Sequence, residues 1–189
     1  MRAVRDGDVV VDTLDARYVW HHPHYPAWQF PEGDVRLDRL APDSWRPGEP
    51  GMVEVKWSSV DHWLEEDEEV YVHPRSPYAR IDILASSRPV RIGLRGVTVA
   101  ESDQPRILFE TGLVPRYYLP LTAVRLDLLR PSEHLTMCPY KGTASYWSVD
   151  IDGEVFENIV WTYKTPLPES QKIAGLVCFY NDRVDLTVG

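Results

Sequence analysis

The sequence predicts a mainly β protein: two small antiparallel β units in tandem, related by duplication and packed together, with few short helices. Three observations predict this. Short runs rich in Val, Ile, Tyr, Trp and Phe recur about every ten residues, separated by clusters of Pro, Gly, Asp and Ser. Sixteen prolines in 189 residues leave little room for long helices, because proline lacks an amide hydrogen and its ring clashes with the preceding helical turn. The chain also echoes itself at long range, the signature of repeated architecture.

The echo has a constant offset of 89. Pro26 falls on Pro115, Trp28 on Tyr117, Pro31 on Pro120, and VRLD at 35–38 on VRLD at 124–127. Looser parallels follow: Lys56–Trp63 with Lys141–Trp147, EEVY at 68–71 with GEVF at 153–156, and LRGVTV at 94–99 with RVDLTV at 183–188. These place the units at residues 1–96 and 97–189. Strands are expected at VVVD, YVW, DVRLD, VEVKW and EVYV in the first unit. In the second they are expected at ILFE, YYLP, ASYWSVDI, EVFENIVWTY, GLVCFY and VDLTV. The helical candidates are 168–175 and 61–67. A unit of this size buries a modest share of its surface, so the two are expected to pack on each other with approximate two-fold symmetry.

Composition narrows the function. The chain is 43% hydrophobic and 26% charged, as in ordinary globular proteins. Its net charge of -9 argues against nucleic acid as a partner and against attachment to anionic lipid. No apolar run approaches the ~20 residues of a membrane helix. The start, MRAVRDGDVVVD, has no signal-peptide core, and the two cysteines, Cys138 and Cys178, form no disulfide framework. A cytoplasmic protein is expected. The acidic run LEEDEEV at 64–70 reads as a solvated turn or helix face.

Two stretches carry the residues that do chemistry. FETGLVPRYYLP at 109–120 offers Glu110, Arg116 and the adjacent Tyr117 and Tyr118. On a strand those tyrosines face opposite sides. Glu110 precedes a Thr-Gly turn whose amides can hold its carboxylate. CPYKGTASYW at 138–147 offers Cys138, Tyr140, Lys141, Gly142 and Trp147. The Lys-Gly step predicts a tight turn in which glycine allows positive φ or close backbone approach. Lys141 can bind an anion, but the spacing is not that of a phosphate-binding P-loop. Cys138 is a reserve nucleophile whose commoner fate is that of a small buried hydrophobe, and Cys178 reads as strand core.

The histidines at 21, 22 and 24 lack a second ligand cluster at metal spacing, and the proline among them blocks a helical pair. They read as a surface loop, so no metal and no cofactor is expected. His134 is the one histidine of the second half, and no G-x-S-x-G elbow accompanies it.

The runs ETGLVPRYYLP, CPYKGTASYWSV and WTYKTPLPESQKIAGLVCFYNDRVDL, in that order, resemble the DUF427 family of small, largely bacterial proteins of unknown function. The resemblance covers residues 97–189. It implies a small, mainly β fold and places Glu110, Arg116, Tyr117, Tyr118, Tyr140, Lys141, Gly142, Tyr146, Trp147, Trp161 and Tyr180 in the family's characteristic segments. A family label linking it to nucleotidyl transfer finds no paired-Asp metal motif here. The first half departs from the pattern: His21 stands opposite Glu110, Ala27 opposite Arg116, and VEVKW keeps Lys56 but loses the glycine. The first half therefore reads as a degenerate copy, serving as scaffold or as one wall of a cleft.

Three functions follow from these residues. The first is a binding module for a small, anionic molecule, using Arg116, Tyr117, Tyr118, Tyr140, Lys141, Gly142, Trp147 and Trp161. The second is an enzyme acting on that molecule with Glu110 as general acid or base. The third is a structural module in which Glu110 and Lys141 simply pair.

Overall fold

The computed structural model describes residues 1–189 and is mainly β. It divides into two compact units, Met1–Pro77 and Tyr78–Gly189. Short 3₁₀ segments interrupt the strands, the longest being Pro168–Ile173. No helix is long and apolar enough to cross a membrane.

The first unit holds two four-stranded antiparallel sheets. Its strands are β1 (Arg2–Arg5), β2 (Asp8–Asp12), β3 (Arg17–Val19), β4 (Ala27–Pro31), β5 (Trp45–Pro47), β6 (Met52–Val55), β7 (His62–Glu65) and β8 (Glu68–Val70). The orders are β2-β1-β7-β8 and β3-β4-β6-β5. Their inner faces share a core of Trp28, Phe30, Val53, Trp63 and their neighbours.

In the second unit, β9 (Ile81–Ala85), β10 (Val90–Leu94), β11 (Val97–Ser102), β12 (Arg106–Glu110) and β13 (Arg116–Leu119) precede a long meander. This consists of β14 (Leu129–Cys138), β15 (Gly142–Ile151) and β16 (Glu154–Tyr163), and is followed by β17 (Val177–Phe179) and β18 (Asp185–Val188). Seven strands form one sheet in the order β14-β15-β16-β17-β13-β12-β9, and three form another, β11-β10-β18. Strand alternation gives the large sheet two different faces. One face packs Leu119, Val149, Ile151, Val160, Val177 and Phe179 against Val90, Ile92, Leu94 and Val99 of the small sheet. The other gathers Ile83, Leu108, Tyr118, Tyr146, Trp161 and Tyr163 beneath Ile173 of the 3₁₀ segment.

Several expectations change. DVRLD is no strand: 3₁₀ turns at Glu32–Asp34 and Leu37–Arg39 bracket it, and only Val35 bridges to Val11. Residues 61–67 form a hairpin rather than a helix, with β7 and β8 joined through Glu66 at φ 53. Trp63 is buried between exposed His62 and half-buried Leu64, as the period of two of a strand allows. The 168–175 candidate is helical over Pro168–Ile173, as a 3₁₀ segment. The parallel drawn between LRGVTV and RVDLTV dissolves, because 94–97 turns the β10–β11 hairpin and β18 is the other neighbour of β10. The compact boundary accordingly lies at Pro77, ahead of that hairpin, where the sequence reading put it at 96.

The hairpin has its counterpart at the start of the chain. Asp6 and Gly7 turn β1 into β2 at φ 51 and 82, and Arg95 and Gly96 turn β10 into β11 at φ 54 and 77. Register slips after Ala3 in one and after Ile92 in the other. The Arg36 amide donates to the Val10 carbonyl at 2.8 Å, and the Arg125 amide donates to the Val99 carbonyl at the same distance. Every one of these pairs is separated by the offset of 89 seen in the sequence.

Since β9 and β10 belong to the sheets of the second unit, a fragment of residues 78–189 is expected to fold by itself, giving a dispersed amide spectrum. A fragment of 97–189 lacks an edge strand of one sheet and the central strand of the other, and is expected to stay largely unfolded. Equal dispersion in both would contradict this assignment of β9 and β10.

Candidate functional site

The inner face of the seven-stranded sheet brings together residues far apart in sequence. β13 alternates, so Arg116 and Tyr118 point to this face while Tyr117 and Leu119 join the opposite core. In β12, Leu108 lies in the same cluster, and Glu110 follows it by one full pleat. In β15, Ala144 and Tyr146 face inward. Their neighbour β14 pairs Thr136 with Ala144 and Cys138 with Gly142, so those side chains share the face.

The segment CPYKG is the turn from β14 to β15, and Gly142 sits at φ 90. The sequence anticipated this. An added Cβ there would lie in ordinary contact, 3.5 Å from the Thr165 carbonyl oxygen, so the need for glycine is conformational rather than steric. The turn is held from outside: the Leu167 amide donates to the Lys141 carbonyl at 3.2 Å, and the Ser170 hydroxyl donates to that of Tyr140 at 3.3 Å.

This anchoring aims Lys141 inward. Its ammonium donates to Glu110 Oε2 at 2.5 Å, and the two side chains are only 11% and 12% exposed. The Glu110 carboxylate is thus taken by Lys141, where the sequence reading allowed it the amides of the Thr-Gly turn. β13, β17 and β16 lie between β12 and β15. Four flat inter-strand steps would separate the two strands by roughly 19 Å. The contact therefore requires the sheet to curl, which makes the inner face concave.

Along the same face Arg116 lies over two rings, its guanidinium carbon 5.6 Å from the Trp161 centroid and 5.7 Å from that of Tyr180. Its Nη1 is buried and has no hydrogen-bond partner. The Trp161 indole donates to the Tyr118 hydroxyl at 3.1 Å. Tyr146 and Thr136 share a hydroxyl–hydroxyl bond of 2.9 Å, and His134 packs edge-on to Tyr146. Burial pushes the phenols of Tyr118 and Tyr163 well above the ordinary tyrosine range. Burial and the Tyr146 hydroxyl push Tyr180 up to about 12, against the opposing pull of Arg116 and Arg183.

The structure thus gathers Glu110, Arg116, Tyr118, Cys138, Lys141 and Trp161 on one face, with Gly142 in the turn beside them. It does not bring Tyr117 and Trp147 there. Both pack on the opposite core, because each lies one residue out of phase with its inward neighbour. Tyr140 contributes its backbone carbonyl to the turn. Thr136 and Tyr163 were missed. Their signal is the register that sets Thr136, Ala144 and Tyr163 side by side across three strands, which no local pattern reveals. Cys178 is fully buried, and burial pushes its thiol well up.

The histidine loop has other partners. His21 lies 2.7 Å from Glu54, while His22 stacks on Tyr25 at 4.2 Å. Burial works to raise the Glu54 carboxyl, but hydrogen bonds from His21 and Arg46 outweigh it and hold the group below the usual range.

The second unit is a mainly β domain of two antiparallel sheets, the larger of which carries an ion-paired, tyrosine-lined face. The family model described as a domain of unknown function, DUF427, matches residues 82–189, and the chain belongs to that family. The match begins inside β9, so it takes in the whole β10–β11 hairpin. Comparison with curated proteins finds no match.

Two predictions follow from this geometry. Glu110→Gln and Lys141→Met are each expected to destabilise the second unit by about 3 kcal/mol, since either leaves a largely buried charge without its partner. The double variant is expected to recover most of the loss, as read from denaturant midpoints; additive losses would refute the pairing. The second concerns alkaline pH. An unfolded tyrosine ionises near pH 10 and the folded Tyr180 only at about 12, so the folded unit holds its proton more tightly. The contribution of Tyr180 to stability is fully present below about pH 10 and is lost as pH rises through about 12. An unfolding midpoint that stays level across that window would rule this out.

Proposed function

We propose that the second unit is a binding module for a small, anionic molecule, with Arg116 as the group that reads the anion. One observation carries this: a guanidinium fixed over Trp161 and Tyr180 keeps a buried Nη1 without an acceptor. A buried donor left unmade costs about 1–3 kcal/mol, and a carboxylate or phosphate oxygen would remove that cost. The rings of Trp161 and Tyr180 would enclose the rest of the molecule, and the hydroxyls of Tyr146 and Thr136 would offer hydrogen bonds.

Lys141 has a different part. Its charge is already answered by Glu110, so it shapes the face and does not hold the anion. The same pairing weighs against Glu110 as general acid or base, because the carboxylate would first have to leave a contact of 2.5 Å. Cys138 shares the face, and both cysteines are free thiols, which supports a reducing, cytoplasmic setting. The hairpins and backbone bonds that recur at the offset of 89 support a common origin for the two units, with the first as the diverged copy.

The Trp161 indole N–H is the reporter for the test, because it lies beside Arg116 and is tied to Tyr118. Titration with benzoate, phenyl phosphate and inorganic phosphate is expected to move its NMR resonance, with the ring-bearing anions binding more tightly. Arg116→Gln should weaken binding ten-fold or more while leaving the fold intact. If none of the three anions moves the indole resonance, or if the Arg116 variant binds as well as the parent, the proposal fails.

A further inference from the structure

The first unit carries its own polar cavity, of about 420 Å³, at the end where the β1–β2 turn meets the segments before β5 and after β6. Arg5 ends β1 and Asp6 begins the turn, Asp43 and Ser44 precede β5, Lys56, Ser58 and Ser59 follow β6, and Asp61 precedes β7. Every lining side chain is polar or charged. A cavity with no apolar wall has no hydrophobic gain to offer a protein segment or a lipid, so its occupant must be a small hydrophilic molecule.

The frame is preorganised by backbone bonds. The Lys56 amide donates to the Ser44 carbonyl at 2.8 Å, the Asp61 amide to that of Val4 at 2.8 Å, and the Asp6 amide to Asp61 Oδ2 at 2.6 Å. The Ser59 hydroxyl closes the 3₁₀ turn on the Lys56 carbonyl at 2.6 Å. Within this frame Arg5 has one loose charge partner, Asp6 at 3.5 Å from Nε, while its Nη1 is buried and has no acceptor. No carboxylate lies within ion-pair distance of Lys56. Arg5 and Lys56 thus line the cavity with no carboxylate closer to either than Asp6 at 3.5 Å.

The carboxylates decide what kind of anion fits. Asp43 and Asp61 line the same space, so a bare inorganic anion would meet like charge as well as Arg5 and Lys56. A molecule that also carries hydroxyl groups turns those carboxylates and the Ser58 hydroxyl into hydrogen-bond partners. We infer that this cavity binds a small polyhydroxylated molecule bearing one carboxylate or phosphate group. Arg5 and Lys56 take the anionic group, and Asp43, Asp61 and Ser58 take the hydroxyls. The site lies wholly within the first unit and shares no residue with the Arg116 face.

The test uses the full chain and follows the backbone amides of Arg5, Asp6, Ser58 and Ser59 by NMR. The probes are gluconate, glucose 6-phosphate, glucose and inorganic phosphate. The first two are expected to shift these amides and to bind at least ten-fold more tightly than the last two, and the weights of gluconate and glucose 6-phosphate distinguish carboxylate from phosphate. Arg5→Gln and Lys56→Gln should each weaken binding ten-fold or more. Lys56 is exposed, so its variant keeps the test open should Arg5→Gln disturb the hairpin. Arg116→Gln should leave this binding unchanged. The inference is overturned if no probe shifts the amides, if inorganic phosphate matches glucose 6-phosphate, or if Lys56→Gln binds as the parent does.

Discussion

The Glu110–Lys141 ion pair joins the end of β12 to the turn that leads into β15, two strands of one sheet that have three others between them. A flat sheet could not make this contact, so the pair and the curvature imply each other. The curl also gives the sheet's inner face a second place to bury its apolar side chains, since the small sheet covers only the opposite face. The anchoring of the Lys141 turn by Leu167 and Ser170 belongs to the same arrangement. Through it the 3₁₀ segment that follows is held over Ile83, whose carbonyl accepts a hydrogen bond from Lys172 at 3.3 Å. Charge, turn and cover are thus parts of one closure.

That closure separates the roles of two cations the sequence presents as equals. Lys141 has a compact charge on a flexible stem and is consumed in holding the sheet. Arg116 has a planar head, lies against two rings and keeps a donor free. Arginine suits this position because a guanidinium is weakly hydrated and can stack while still donating in its own plane. The binding reading thus rests on Arg116, and the structural reading contributes the Glu110–Lys141 pair. The two describe different residues of one face.

Local pattern made most of the second unit legible. ILFE, YYLP, ASYWSVDI, EVFENIVWTY, GLVCFY and VDLTV all contain or overlap strands, since runs of β-branched and aromatic residues bounded by turn formers have few other ways to bury themselves. DVRLD misled because it has the alternation of a strand but follows a proline that starts a 3₁₀ turn, and Val35 alone forms a bridge, while Leu37 packs on the core from a second 3₁₀ turn. The run at 61–67 misled because its acidic turn resembles an exposed helix face until the pairing of β7 with β8 is known. On the site, period two correctly predicts that Tyr117 and Tyr118 diverge and that Tyr118 shares the side of Arg116, but not which side holds the Glu110–Lys141 pair.

The sequence by itself determined the β class, the glycine-dependent turn at Lys141–Gly142, the long-range offset of 89 and the chemical types available to a site. Each depends on neighbours in the chain or on comparison of the chain with itself. The tertiary structure decided that β10 belongs with β18, that Tyr117 and Trp147 turn away, and that Glu110 spends its charge on Lys141. It also left Arg116 and Arg5 each with a buried donor in search of an acceptor. Such facts depend on register and curvature, which bring residues thirty or more positions apart to within a hydrogen bond, and no local pattern encodes that distance.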